Sequence, residues 1–364
     1  MSYRYIGNKT RLISTILNTI REFVPRESTV VDLMCGTASV AEAMRTSGYR
    51  VIATDMMTYS THHARVRLLL DEAPHFDGLG LGSYFDVLQY LQTLRPRKGL
   101  FFHEYSPDGR PSAGVPPRMY FTSDNAKILD AISYQIKEWY SSEKITEIEN
   151  SLLRHDLILA ANRVANIAGT YGHYRSKWSN GSLSVLRLEP TKFIWGFRTD
   201  HVVLQGNAED VASRISADLC YIDPPYMKRQ YAANYHIIET LARGDEPEAI
   251  GMSGLRPWRD QYSNFCTKTK IFDSFTRVIN DMDCDKFMIS YSEDGLITRR
   301  ILTEFFQTFG KVSSSSIKFN RFRSNDSSLG RELNEYVFML EKTKRPAAFS
   351  LKPLLSFQRV SGAT

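Results

Sequence analysis

Asp223-Pro224-Pro225-Tyr226 is the stretch of this chain whose residue types point most directly to chemistry. Four apolar residues, Leu219-Cys220-Tyr221-Ile222, precede it and read as a buried strand, which puts the tetrapeptide at a strand's carboxyl end. With proline near 5% of average usage, such a tetrapeptide arises by chance in about one chain of this size per thousand. Prolines also end strands for purely structural reasons. The order found here fits a sharper use. An exocyclic amine on an aromatic ring is a poor nucleophile, because its lone pair is delocalised into the ring. Hydrogen bonds accepted by the Asp223 carboxylate and by the Pro224 carbonyl would draw the amine protons out of the ring plane. Consecutive prolines hold φ near −65°, so that carbonyl is fixed before a substrate arrives. Tyr226 offers a face on which a base can stack. The amine could then attack an activated methyl group in line, with no metal required.

A second constellation lies near the N-terminus. Thr29 to Leu33 reads as a strand leading into Cys35-Gly36-Thr37-Ala38-Ser39. A small-residue helix from Val40 to Thr46 follows, closed by Gly48, and a second strand from Tyr49 ends at Asp55. A glycine in the first strand-to-helix turn and an acid 19 residues later are the marks of a βαβ unit that binds a nucleoside, the acid facing the ribose hydroxyls. The turn lacks the G-x-G-x-x-G pattern of dinucleotide sites. Its extra carboxylate, Asp32, would repel a phosphate but suits a cationic ligand with an amino-acid end. S-adenosylmethionine is such a ligand.

With these residues in place, the chain resembles the Dam-like DNA adenine-N6 methyltransferases, the family that includes restriction-associated site-specific adenine methylases. The motifs occur in the family's order over most of the chain. Tyr5-Ile6-Gly7-Asn8-Lys9 resembles the family's N-terminal aromatic-x-Gly-Gly-Lys segment, which implies cofactor contacts for Tyr5, Gly7 and Lys9. Asp32 to Gly36 resembles the cofactor loop, and Asp55 the ribose acid. Gly206-Asn207-Ala208-Glu209-Asp210 resembles the segment around the cofactor adenine, and Asp223 to Tyr226 the catalytic motif, with Asp223 also near the cofactor. Ile289 to Ser292 is similar to a late strand motif, and Arg321 to Asn325, with Arg321 and Arg323, to a basic motif that touches DNA. Four positions depart from the pattern, among them Asn207, which holds a place often taken by Asp and whose amide can still recognise an adenine edge. Asn8 stands where a second glycine is usual, Ala38 replaces a glycine of the cofactor loop, and Met34 replaces a phenylalanine. Alanine at position 38 is expected to fit if φ there stays negative.

The elements that must position these groups form an α/β fold: a doubly wound, Rossmann-like methyltransferase sheet with a mostly helical target-recognition insertion. Residues 1–73 and 200–345 are expected to form the catalytic domain, residues 74–199 the DNA-binding insertion, and residues 346–364 a basic tail. Leu12 to Ile20 has helical spacing. Within the insertion, Ser123 or Asp124 is expected to cap one helix, and a second is expected from Ile145 to Ile167 with Gly169 as its stop. Thr170 to Gly181 then mixes aromatics, cations and glycines, as a loop that grips nucleic acid would. Tyr171, Arg175, Lys177 and Trp178 are its candidate DNA contacts, with Lys228 and Arg229 after the catalytic motif. His62-His63 reads as a solvated or capping pair rather than a metal site, and Ser106 to Pro117 as a long irregular loop.

Composition sets the outer limits. The 364 residues carry a net charge of +6, concentrated in residues 154–198 (seven Lys/Arg against two Asp/Glu) and 312–364 (nine against four). Both segments suit a polyanionic partner, double-stranded DNA. Four scattered cysteines exclude the common zinc spacings and a disulfide framework. With no apolar run of membrane length and no signal-peptide core, a cytoplasmic protein of prokaryotic or phage origin is expected, with no membrane partner and no metal. A cognate restriction endonuclease is a candidate partner. The chemistry leaves alternatives: cytosine-N4 methylation, RNA or protein amine methylation, or a catalytically silent nucleic-acid-binding module.

Overall fold

The computed structural model describes residues 5–7, 9–320 and 332–343. Strands β1 (Thr29–Asp32), β2 (Arg50–Asp55), β3 (Val202–Gln205), β4 (Leu219–Ile222) and β5 (Lys286–Ser292) pair in parallel. β6 (Gly310–Asn320) and β7 (Glu332–Lys342) are antiparallel to each other, and β7 is antiparallel to β5. The spatial order is β3-β2-β1-β4-β5-β7-β6. From β1 the chain moves outward through β2 to β3. It then returns to lay β4 on the other side of β1 and moves the opposite way. The direction reverses between β1 and β4, so their carboxyl ends border a crevice, the place where open α/β sheets bind ligands. In the register Asp32 lies level with Tyr221, and both β1 and β4 deliver an aspartate to that crevice.

Twelve helices flank the sheet among the described residues. Those before β3 are α1 (Ile13–Phe23), α2 (Ser39–Thr46), α3 (Thr58–Leu69), α4 (Tyr84–Gln92), α5 (Leu100–Tyr105), α6 (Ser123–Ser141) and α7 (Glu147–Val164). After β3 come α8 (Ala208–Val211), α9 (Tyr231–Asn234), α10 (His236–Arg243), α11 (Ile271–Asp281) and α12 (Arg299–Phe306). The parallel strands are apolar on both faces because both are covered. Val30, Val51, Tyr221 and Met288 pack under α1 and α2. The alternate residues Val31, Ile52, Cys220 and Phe287 pack against α11 and α12. Each such fully buried side chain contributes roughly 1.5–3 kcal/mol. The doubly wound sheet is therefore the one expected.

A third cluster joins α4–α7 to the sheet domain rather than leaving them as a free appendage. Leu129 and Ile132 of α6 and Leu153 and Leu157 of α7 share it with Tyr59 of α3 and Ile238 of α10. Local details differ from expectation here. α6 is capped by Thr122, whose hydroxyl accepts from the Asn125 amide, one residue before the expected caps. α7 starts at Glu147 under a capping box of Thr146 and Glu149, and stops at Val164. Ala165 is extended, and Ile167 makes a bridge to Tyr174 instead of continuing the helix. His62 and His63 are neither solvated nor capping. Both are buried in the α3–α7 contact, His62 against Ser151 Oγ (3.0 Å) and His63 against His155 Nδ1 (2.7 Å). Their α3 face packs on helices that the local sequence does not reveal. The four cysteines are buried and unpaired with one another, as expected.

Candidate active site

The crevice at the β1/β4 ends is an open cleft. Lining it are Asp32 and Gly36 from the β1 turn, Asp55 from the tip of β2, and Asn207 and Ala208 from the start of α8. Asp223, Pro224, Pro225 and Tyr226 line it from the β4 turn, and Tyr5, Gly7 and Lys9 from the N-terminal segment. The structure thus brings the sequence's catalytic and cofactor candidates into one cavity.

The N-terminal segment is held by an aromatic wall. Tyr5 stacks on Tyr235, with ring centroids 4.7 Å apart, and the Tyr235 hydroxyl accepts from the Ile6 amide at 2.7 Å. Tyr231 donates to the Ile6 carbonyl at 3.2 Å. Glycine is favoured at position 36 beneath this wall. Its φ is +52°, and a Cβ there would sit 3.0 Å from the Tyr5 ring. Ala38, by contrast, is not in the negative-φ conformation expected for it. Its φ is +58° at the N-cap of α2, so the chain keeps the left-handed turn that a glycine would serve and accepts about 1–2 kcal/mol of backbone strain. Asp55 braces the same turn: Oδ2 accepts from the Gly36 amide (2.9 Å) and Oδ1 from the Met57 amide (2.8 Å).

The cleft is electrostatically one-sided. Three aspartates line it against one cation, Lys9, among the described residues. Burial, with Asp223 and Asp55 nearby, pushes the Asp32 carboxyl up to about 8. Burial also raises Asp55 to about 6, against the pull of its two backbone amides. Asp223 is pushed up to about 7 by burial, with Lys9 pulling it down and Glu335 pushing it up. Asp32 Oδ2 is buried with no hydrogen-bond partner among the described residues. An orphaned carboxylate oxygen in a cleft rich in carboxylates asks for a positive ligand. The sulfonium and ammonium groups of S-adenosylmethionine answer that need, so the residues present fit this cofactor. No group of three or more His, Cys, Asp or Glu is placed to hold a metal among the described residues.

Lys9 is 5% exposed and bridges two carboxylates, Asp223 Oδ1 at 3.1 Å and Glu335 Oε1 at 2.5 Å. Burial would lower its ammonium, but the two acids outweigh that and hold it above the ordinary lysine range. Glu335, on β7, does not itself line the cleft but reaches it through Lys9, and sequence reasoning missed it. A lone glutamate in an alternating strand carries no local signal; a charged residue on the inward face of β7 was the one available clue.

The DNA-contact candidates divide. Lys228 and Arg229 are exposed on the loop directly after Tyr226, and Gln230 of that loop lines the cleft. Arg175 and Lys177 are exposed and Trp178 is half-buried. Tyr171 is not a surface residue: it is fully buried, stacked near Tyr120, and its carbonyl accepts from the Tyr120 hydroxyl at 2.8 Å. An aromatic-rich loop folds part of itself into the core because burial of a ring outweighs its exposure. The charge of residues 154–198 is likewise partly structural. Arg154 is buried and bonds Ser133 and Leu241, Arg163 pairs with Glu189, and Arg198 pairs with Asp200. Arg175, Lys177, Arg187 and Lys192 remain exposed. Asn8, Arg321, Arg323 and the basic tail 346–364 lie outside the described residues. A neighbouring turn, 250–255, is anchored to the same loop: Ser253 Oγ donates to the Gly172 carbonyl (2.7 Å), while buried Arg118 donates to the carbonyls of Gly251 and Met252.

Comparison with known proteins supplies the chemical context. The profile of the D12 class N6 adenine-specific DNA methyltransferases matches residues 5–305. The type II methyltransferase M.NlaIII of Neisseria lactamica is 32% identical over 346 residues, which cover 93% of this chain and 99% of that protein. M.CviAII of Paramecium bursaria Chlorella virus 1 is 28% identical, covering 92% of this chain and 97% of its own length. M.FokI of Planomicrobium okeanokoites is 30% identical over 93% of this chain, but the chain spans about half (52%) of that longer protein.

Proposed function

The chain belongs to the D12 class N6 adenine-specific DNA methyltransferase family, and from that premise we propose how the residues of the cleft share the reaction. The activity is site-specific methylation of adenine N6 in DNA with S-adenosylmethionine as donor, which answers the cytosine and RNA alternatives. An intact Asp223–Tyr226 motif inside the cleft counts against a silent module. S-adenosylmethionine supplies an electrophilic methyl group on a sulfonium. Asp32 would face its cationic methionine end, Asp55 its ribose, and Asn207 and Ala208 its adenine edge. The target adenine is rotated out of the duplex at a cost of a few kcal/mol and stacks on Tyr226.

Asp223 and the Pro224 carbonyl accept hydrogen bonds from the N6 amine and turn its lone pair toward the donor methyl. The Asp223 carboxylate would also take up the proton that the amine releases once it carries the methyl group. Arg175, Lys177, Trp178, Lys228 and Arg229 would hold and read the duplex, with residues 74–199 as the recognition part. Likeness to proteins named type II methyltransferases supports work beside a restriction endonuclease of the same specificity, in the cytoplasm. No helix among the described residues is long and apolar enough to cross a membrane.

The observation that carries this reading is the meeting of Asp32 and Asp223 at adjacent strand ends in one cleft. Asp223→Ala should lower turnover by about 10²–10³ or more while S-adenosylmethionine binding survives. Labelled-methyl transfer to duplex DNA, followed by nucleoside mass analysis, measures both rate and product. An active Asp223→Ala enzyme, or N4-methylcytosine as the product, would overturn the reading.

A further inference from the structure

Lys9 treats its two carboxylates unequally. The shorter contact, 2.5 Å to Glu335 Oε1, is a hydrogen bond. The longer one, 3.1 Å to the buried Asp223 Oδ1, is an ion pair of poorer alignment, which still pulls the Asp223 carboxyl down. Glu335 is itself fixed. It is 1% exposed, lies opposite Ser292 in the β5–β7 register, and its Oε1 also accepts from Ser290 Oγ at 2.5 Å.

We propose that Glu335 is a positioning residue for methyl transfer: by drawing Lys9 toward β7 it limits the ammonium's hold on the buried Asp223 Oδ1 and so preserves the strength with which the carboxylate accepts the N–H of the target amine. The inference rests on the role given to Asp223 above. Its physical basis is competition for one ammonium. A lysine on a flexible four-carbon stem closes onto whichever acceptor is most negative. If Asp223 were its sole anionic partner, a charge-assisted bond of roughly 2.8 Å would form there. That bond would drain the acceptor strength of the carboxylate that pyramidalises the amine. Glu335 divides the ammonium's charge, so that Asp223 stays close to a cation yet chemically available, although the second carboxylate raises the Asp223 carboxyl.

Glu335→Gln tests this with little change in shape, since the amide oxygen can still accept from Ser290. Turnover is expected to fall by about 10²-fold, the scale of a roughly 1 Å misplacement of a reacting group. S-adenosylmethionine affinity and KM for DNA should stay within about twofold, because the lost interaction matters only to the reacting amine. With Glu335's charge removed and Lys9 closed on Asp223, the acid limb of the kcat profile should move to lower pH. Glu335→Asp, which restores the charge, should recover part of the rate and move the limb back. An unchanged rate and pH profile in a folded Glu335→Gln enzyme overturns the proposal. So does an equal loss in both variants accompanied by lost cofactor binding and a lowered Tm, the signature of a structural brace alone. The outcome is separable from the Asp223 test. If Asp223→Ala is inactive while Glu335→Gln matches the parent, the chemistry stands and this inference falls; if Asp223→Ala is active, the reading of the cleft falls first.

Discussion

Replacing Lys9 by methionine removes the cation from the carboxylate cluster while keeping most of the side chain's length. Breaking a buried ion pair by deleting one partner costs roughly 3–5 kcal/mol, because a desolvated charge is left behind. Here the cost must depend on pH. With Lys9 present, Asp223 titrates near 7; without it, the pull that lowers this carboxyl is gone and the value rises. A raised carboxyl stabilises the fold at low pH and loses that contribution as pH climbs through the folded-state value. Between pH 6 and 8 the parent loses about one unit's worth of proton binding at Asp223, about 1.4 kcal/mol. The variant, whose Asp223 carboxyl sits higher, loses more over the same interval, at most about two units' worth, or about 2.7 kcal/mol. The destabilisation of Lys9→Met should therefore be smaller at pH 6 than at pH 8, by at most about 1.4 kcal/mol. Urea unfolding at both pH values, read as the midpoint difference between parent and variant, measures it. An equal penalty at pH 6 and 8 would refute the placement of Lys9 against a titrating Asp223.

S-adenosylmethionine affinity should rise as pH increases from 6 toward 8.5, since Asp32 (about 8) and Asp223 (about 7) acquire charge in that window and the ligand is cationic. The same carboxyls, raised in the folded state, cost the ligand-free fold stability over this interval, so the thermal shift produced by the cofactor should grow with pH. Asp32→Asn should flatten both trends, and a pH-independent parent affinity by calorimetry would remove Asp32 from the ligand site. In the recognition loop, Lys177→Ala should weaken binding to cognate and scrambled duplexes alike and lower the salt slope by about one unit. Arg175→Ala should instead cost about 1–3 kcal/mol on the preferred site alone. If neither variant changes affinity, slope or discrimination across a salt series, recognition lies elsewhere.

The parts of the site that share one local stretch were legible in the sequence. Asp223 to Tyr226 and Asp32 to Gly36 sit at strand ends, where a short apolar run and the turn after it announce both the element and its tip. What failed to show was set by contacts from afar. Ala38 has φ of +58°, fixed by the turn that Asp55 braces across 19 residues, and composition alone does not state a dihedral angle. Tyr171 is indistinguishable from Tyr174 or Trp178 in a loop of mixed aromatics and cations until Tyr120 is seen beside it. His62 and His63 are buried by a helix more than eighty residues away. Glu335 becomes visible as a site residue only once β7 is laid against β5.

The Lys9–Glu335 contact spans 326 residues of chain. During synthesis the N-terminal segment, the β1 turn and the Asp223 motif all leave the ribosome well before Glu335, at rates of about 5–20 residues per second. A nascent chain that has folded its parallel strands would then hold Lys9 against Asp223 with no competitor. On the reading given to Glu335, such a chain could bind cofactor but would methylate slowly. Full activity would arrive when β7 inserts between β5 and β6, a late, long-range pairing of the kind that closes slowly. The active-site ion network is thus completed only by the last described strand, through a contact between the two ends of the described chain.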